Sequence, residues 1–204
     1  MHAIITDGSI SKYVNHPKPL VIGDVQYPAR IFSAWTASEL AAIGIIEVTF
    51  DDSNKKNEQW YINTNQTFTY DADAGTVTAT YGTATAKAHA DTLFTAQDET
   101  DGLGTEGEVK VEGLKTVLIR TIKQQAAGIL QDTDWYIVRK ADAGTAVPSS
   151  ITTHRAAVRT KAANMETAIT NASDTPALET LYTYTEQEDG SITRPLGELP
   201  TLES

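Results

Sequence analysis

The chain contains no cysteine, which excludes a disulfide scaffold, a cysteine-ligated zinc site and a thiol nucleophile. It also lacks a long apolar run. The longest, Leu40 to Ile46, covers seven residues, far short of the ~20 that a membrane-spanning helix needs. The first residues, Met1-His2-Ala3-Ile4-Ile5-Thr6-Asp7, have neither the cationic flank nor the apolar stretch of a signal peptide. Positive charge is scarce: 16 Lys and Arg stand against 27 Asp and Glu in 204 residues, a formal net charge of −11. That balance argues against broad binding of a phosphate backbone, so neither nucleic acid nor membrane is expected as a partner.

Catalytic signatures are missing as well. The four histidines (His2, His16, His89 and His154) are far apart, and none stands in a His-x-x-x-His or His-Glu-x-x-His pattern. His154, next to Arg155, reads as a structural or surface residue. There is no phosphate-binding Gly-x-x-x-x-Gly-Lys-Ser/Thr loop and no Gly-x-Ser-x-Gly nucleophile elbow. The glycines of Gly102-Leu103-Gly104-Thr105-Glu106-Gly107 are spaced much as in a dinucleotide loop, but they follow no clear strand. Asp71-x-Asp73-x-Gly75 echoes the start of a calcium loop without its closing Glu, and hairpin-turn chemistry explains the same residues. The expectation is a protein that is not an enzyme, with no cofactor, no metal and no catalytic residue.

What the sequence does have is threonine, 30 residues of it, much of it in β-like runs. Ala3–Thr6 and Ile10–Val14 read as strands around Asp7-Gly8, a pair suited to a type I′ turn because both central residues need positive φ. Thr36 to Ile43 reads as a short helix, capped by Thr36 or Ser38 and ended by Gly44. Ile45–Phe50, Trp60–Ile62, Thr67–Tyr70 and Thr76–Tyr81 are further strand runs, rich in β-branched and aromatic residues. In the last of these, threonine alternates with Val77, Ala79 and Tyr81, the period of a half-buried strand.

The second half reads as helical. Leu114, Val117, Leu118, Ile122, Ala126, Ile129 and Leu130 recur at spacings of three and four, giving one stripe of a helix from about Val111 to Gln131. Gly128 interrupts that helix at a cost of roughly 1 kcal/mol relative to Ala. After Asp134-Trp135 and a loop, Ser149 or Ser150 opens a second helix, whose stripe is Ile151, Val158, Ala162, Met165 and Ile169. Two such stripes predict an antiparallel helical hairpin. Pro176 to Tyr182 suits a short third helix.

Charge is distributed in blocks. Residues 1–108 carry 6 basic and 15 acidic side chains, residues 109–173 carry 9 and 5, and residues 174–204 carry 1 and 7. A basic middle can dock against an acidic neighbour in the same chain or in another copy. The fold expected is α+β: a β-rich small domain with one short helix over 1–98, an acidic glycine-rich linker over 99–108, the helical hairpin over 109–182, and an extended acidic tail over 183–204. On this reading the tail is a docking arm, and deleting residues 186–204 leaves the core folded.

One constellation carries more information: Thr133-Asp134-Trp135, then Arg139, Val147-Pro148, Ile151, Arg155 and Arg159. Physically, Asp134 can cap a helix end or accept from Arg155. Trp135 can fill the space where two helices meet, in which case its removal costs roughly 3–5 kcal/mol. Pro148 fixes the start of the second helix. The pattern resembles the C-terminal helical module of tailed-bacteriophage tail proteins, known as tail assembly chaperones or tail-fibre assembly proteins, with His154 where that family usually has Tyr. The strand–turn–strand start and Glu39-Leu40-Ala41-Ala42-Ile43-Gly44-Ile45 resemble such proteins too. The resemblance implies interaction or architectural roles for Asp134, Trp135, Arg139, Pro148, Ile151, Arg155 and Arg159. It implies a virion structural protein of the tail, a fibre or baseplate attachment subunit present in several copies and touching other tail proteins. The alternative it implies is an assembly chaperone that binds its client in the host cytoplasm and is absent from the mature particle.

Overall fold

The structure, a computed structural model, describes residues 1–202. The chain divides into two compact units, Met1–Thr85 and Ala86–Ser204. It is mixed α+β, with a β-rich N-terminal region and helices in the C-terminal half.

The first unit begins with strands β1 (His2–Thr6) and β2 (Ser9–Val14), paired antiparallel across the Asp7-Gly8 turn. Asp7 has φ 51° and Gly8 φ 73°, the two positive values that a type I′ turn requires. A second small hairpin follows, β3 (Leu20–Ile22) and β4 (Val25–Tyr27). Helices α1 (Ile31–Ala34) and α2 (Ala37–Ala42) come next, two short helices rather than the one expected. Ile31, buried at the start of α1, supplies the apolar anchor of that extra turn. Thr36 caps α2: its Oγ1 accepts from the Glu39 N–H while Glu39 Oε2 accepts from the Thr36 N–H, a reciprocal capping box.

Strands β5 (Ile45–Asp51), β6 (Tyr61–Ile62), β7 (Thr67–Asp71) and β8 (Thr76–Thr80) complete this unit, and β9 (Thr85–Ala86) lies where the two units divide. The main sheet has the order β2-β1-β5-β8-β7. Its pairs are antiparallel except β5 with β8, which run parallel. At the β7–β8 turn, Asp71 Oδ1 accepts from the N–H groups of Asp73 and Ala74, both at 3.0 Å. Turn geometry thus accounts for the acidic residues there.

One face of the sheet packs Ile4, Val14 and Ile45 against Leu20, Ile31 and Leu40. The other face gathers Ala3, Val48, Val77 and Ala79. The sheet curls so far that Tyr13 on β2 and Phe68 on β7, its two edge strands, bring their rings to 4.8 Å between centroids.

The second unit starts with β10 (Thr92–Leu93), α3 (Ala96–Thr100) and β11 (Val109–Val111). The acidic stretch expected as a linker over 99–108 is folded between these paired strands. Thr95 and Asp98 form a capping box at the start of α3. Asp98 pairs with Lys110 at 2.6 Å, and the Gly107 N–H donates to the Phe94 carbonyl at 3.0 Å. Local hydrogen bonds thus engage Asp98, Glu99 and Asp101, carboxylates that composition alone assigned to solvent.

Helices α4 (Leu114–Gln131), α5 (Asp134–Ala143), α6 (Ser149–Asn171) and α7 (Thr175–Tyr182) follow. Asp91 satisfies the start of α4 from outside, accepting from the Gly113 N–H at 2.6 Å and from Thr116 Oγ1 at 2.8 Å. Lys115 reaches the Thr170 carbonyl at 2.8 Å, and Arg155 reaches the Leu130 carbonyl at 2.7 Å. The start of α4 therefore lies by the end of α6, and the two helices run in opposite directions. Their core is Leu118, Ile122 and Ala126 from α4 with Ile151, Val158, Ala162, Met165 and Ile169 from α6. Val117, expected in the α4 stripe, is exposed. The residues after Asp134-Trp135, expected as a loop, form α5, which ends at Gly144 with φ 69°. Pro148, not a serine, occupies the N-cap of α6.

The last segment forms β12 (Thr185–Glu186) and β13 (Ile192–Thr193), a small hairpin. Beyond it Leu196 is 2% exposed, its N–H bonded to the Leu181 carbonyl at 3.0 Å and its own carbonyl to Lys161 Nζ at 2.8 Å.

Candidate functional site

The end of α4 and the start of α5 meet around one side chain. Thr133, itself buried, turns its Oγ1 to donate to the Leu130 carbonyl at 2.9 Å. Arg155, on α6 and 8% exposed, donates through Nη1 to that same carbonyl and to Thr133 Oγ1, both at 2.7 Å. Its Nη2 lies 2.8 Å from Asp134 Oδ1. Arg155 thus ties the last turn of α4 to the first turn of α5. A buried guanidinium needs such a set of acceptors, because desolvation of an unpaired one costs several kcal/mol. Arg159 adds a bond from Nη1 to the Arg155 carbonyl at 3.2 Å.

Trp135 is placed differently from expectation. It is 51% exposed, on a helix with no buried residue, so it fills no space between helices. The reason is its position. Asp134 is drawn toward Arg155 at the first turn of α5, and the next side chain along the helix points elsewhere. Trp135 instead stacks on Tyr136, with centroids 3.8 Å apart. The Arg139 guanidinium lies 4.7 Å from the Trp135 centroid and 5.4 Å from that of Tyr136, a cation–π arrangement. Arg139 Nε is enclosed without an acceptor.

Of the seven residues picked from the sequence, the structure joins Asp134 with Arg155 and stacks Trp135 with Arg139, while Arg159 bonds to the Arg155 carbonyl one turn back on α6. Pro148 and Ile151 belong to the start of α6. The Pro148 carbonyl accepts from the Thr152 N–H at 3.1 Å, and Ile151 is buried.

Two features escaped the sequence reading. Tyr136 joins the aromatic stack, a role signalled only by its adjacency to Trp135. Arg194 pairs with Glu198 through two contacts of 2.8 Å and lies over the rings of Tyr182 and Tyr184. As a lone cation in an acidic segment, it was the signal for a clamp. Arg194, Glu198 and Leu199 line a cavity of about 500 Å³ with Gln125, Gly128, Ile129, Asp132 and Met165.

Among the described residues no group of three or more His, Asp or Glu side chains is placed to hold a metal ion, and no helix is long and apolar enough to cross a membrane. No protein-family model, curated protein or solved structure matches the chain.

Proposed function

We propose that this protein is a structural component of a bacteriophage tail, an attachment or adaptor subunit of the fibre or baseplate that acts through protein–protein contacts. The observation that supports this reading most is the treatment of the Thr-Asp-Trp motif. Its Thr and Asp are consumed in anchoring α5 through Arg155, and its Trp is left at the surface beside Arg139. Trp, Tyr and Arg are the side chains that most often carry binding energy at interfaces, and here an exposed Trp135 stacks against a half-buried Tyr136 and Arg139. On this reading α4 and α6 are the helical hairpin of the tail-protein module and α5 is its contact element.

Quantitative peptide mass spectrometry of purified particles, alongside the infected-cell lysate, tests this. A stoichiometric amount in the particle, in a small multiple of three or six, supports the structural subunit. Abundance in the lysate with absence from the particle overturns it in favour of an assembly chaperone.

A further inference from the structure

In the N-terminal unit, His2 on β1 stands directly opposite Glu47 on β5 in their antiparallel pair, so the two side chains share a face. It is the face on which Ile4 and Ile45, two residues along each strand, are buried. Phe32 and Trp35, three residues apart at the end of α1, come up to the same place. The rings of His2 and Phe32 lie 5.0 Å apart between centroids, tilted by 55°. Trp35 is braced by Tyr27, edge to face at 5.8 Å and 82°. His2, Phe32, Trp35 and Glu47, together with the buried Leu40 and Ile45, line a cavity of about 200 Å³.

Size and charge both restrict what this cavity can hold. It is smaller than the roughly 300 Å³ at which pockets for drug-sized molecules begin, so it suits a head group. Three of its residues carry rings, whose faces attract a cation. Among the described residues no Lys or Arg lines it, and Glu47 has no cation within ion-pair distance. His2 adds no charge at neutral pH. Burial and the Met1 ammonium hold its imidazole below the ordinary 6.5, against the opposing pull of Glu47.

We propose that this cavity binds the head of a small organic cation, a quaternary or alkylated ammonium ion. The rings of Trp35, Phe32 and His2 surround the alkyl groups, and the Glu47 carboxylate supplies the counter-charge. The inference stands apart from the tail reading, because the cavity belongs to the N-terminal unit and the motif behind that reading to the other.

Titration of the full chain with tetramethylammonium chloride, followed by NMR of the Leu40 and Ile45 methyl signals, tests it. The signals are expected to shift and saturate, with a Kd on the order of 10 mM or tighter. Sodium chloride at equal ionic strength should leave them in place. Neutral tert-butanol, of similar shape and size, should bind about fivefold more weakly or worse. Trp35→Ala and Glu47→Gln should each weaken binding of the cation by about fivefold or more, with circular dichroism confirming that both fold. The proposal is overturned by the absence of a saturable shift, by tert-butanol binding as tightly as the cation, or by unchanged affinity in either folded variant. Glu47→Gln alters one exposed side chain, so the test survives even if Trp35→Ala unfolds.

Discussion

Arg155 donates to Thr133 Oγ1 at 2.7 Å from a side chain almost closed to water. The hydroxyl oxygen that accepts this bond has already given its own proton to the Leu130 carbonyl. The threonine is therefore a relay, fixed in direction by the two groups on either side of it. Arg155→Met removes the guanidinium and strands the Thr133 oxygen, with an expected cost of about 3 kcal/mol. Asp134→Ala should cost only about 1 kcal/mol, because Arg155 keeps its two other acceptors and the carboxylate it loses is half solvated. Urea denaturation of both variants checks the ranking.

Trp135→Ala is expected to cost no more than about 1 kcal/mol, the size of an exposed cation–π contact. A loss of 3 kcal/mol or more, seen as a large fall in Tm, would place the ring in a core.

Two glycines should respond to alanine with opposite sign. At Gly44 a Cβ would meet the Ile5 carbonyl oxygen at 2.7 Å, and φ is +78°. Gly44→Ala is expected to destabilise by about 2 kcal/mol or more. At Gly128 a Cβ meets nothing within 4 Å, so Gly128→Ala should stabilise by roughly 1 kcal/mol through helix propensity. Thermal melts of the pair read both signs.

Asp98 provides a pH dependence. Its hydrogen bonds from Lys110 and from the backbone and hydroxyl of Thr95 hold its carboxyl down to about 2, from an ordinary 3.8. A carboxyl with a depressed value in the folded chain contributes fully above 3.8 and loses its contribution as pH falls toward about 2. Between those limits the wild type should lose more stability than Asp98→Asn, as read by denaturation midpoints. Equal losses would show that the carboxylate is not held.

Leu196→Ala should cost about 2–4 kcal/mol, the penalty for emptying a buried leucine site. Deleting residues 186–204 removes that side chain, so the truncated protein is expected to melt below the wild type. An unchanged Tm would restore the picture of a freely removable arm.

Much of the local structure was legible in the sequence. The Asp7-Gly8 turn and the Thr36 cap follow from rules acting within a few residues, and the buried stripe of α6 follows from helical spacing. The stretch after Thr95 was not, because composition counts acids without seeing that a Thr at the cap and a Lys twelve residues on would claim Asp98. Trp135 was misplaced for a similar reason. Large apolar side chains are usually buried, and only the position of Arg155, about twenty residues later, fixes which way α5 turns. Leu196 is seated by Leu181 and Lys161, partners that no window along the chain contains.

The strand order β2-β1-β5-β8-β7 has a consequence for how the N-terminal unit is made. The first hairpin closes from its own turn, β5 then joins the open side of β1, and the β7–β8 hairpin joins the open side of β5. No later strand has to pry apart two that are already paired. During synthesis the sheet can lengthen sideways in the order in which the ribosome delivers it, with each arrival landing on a ready template.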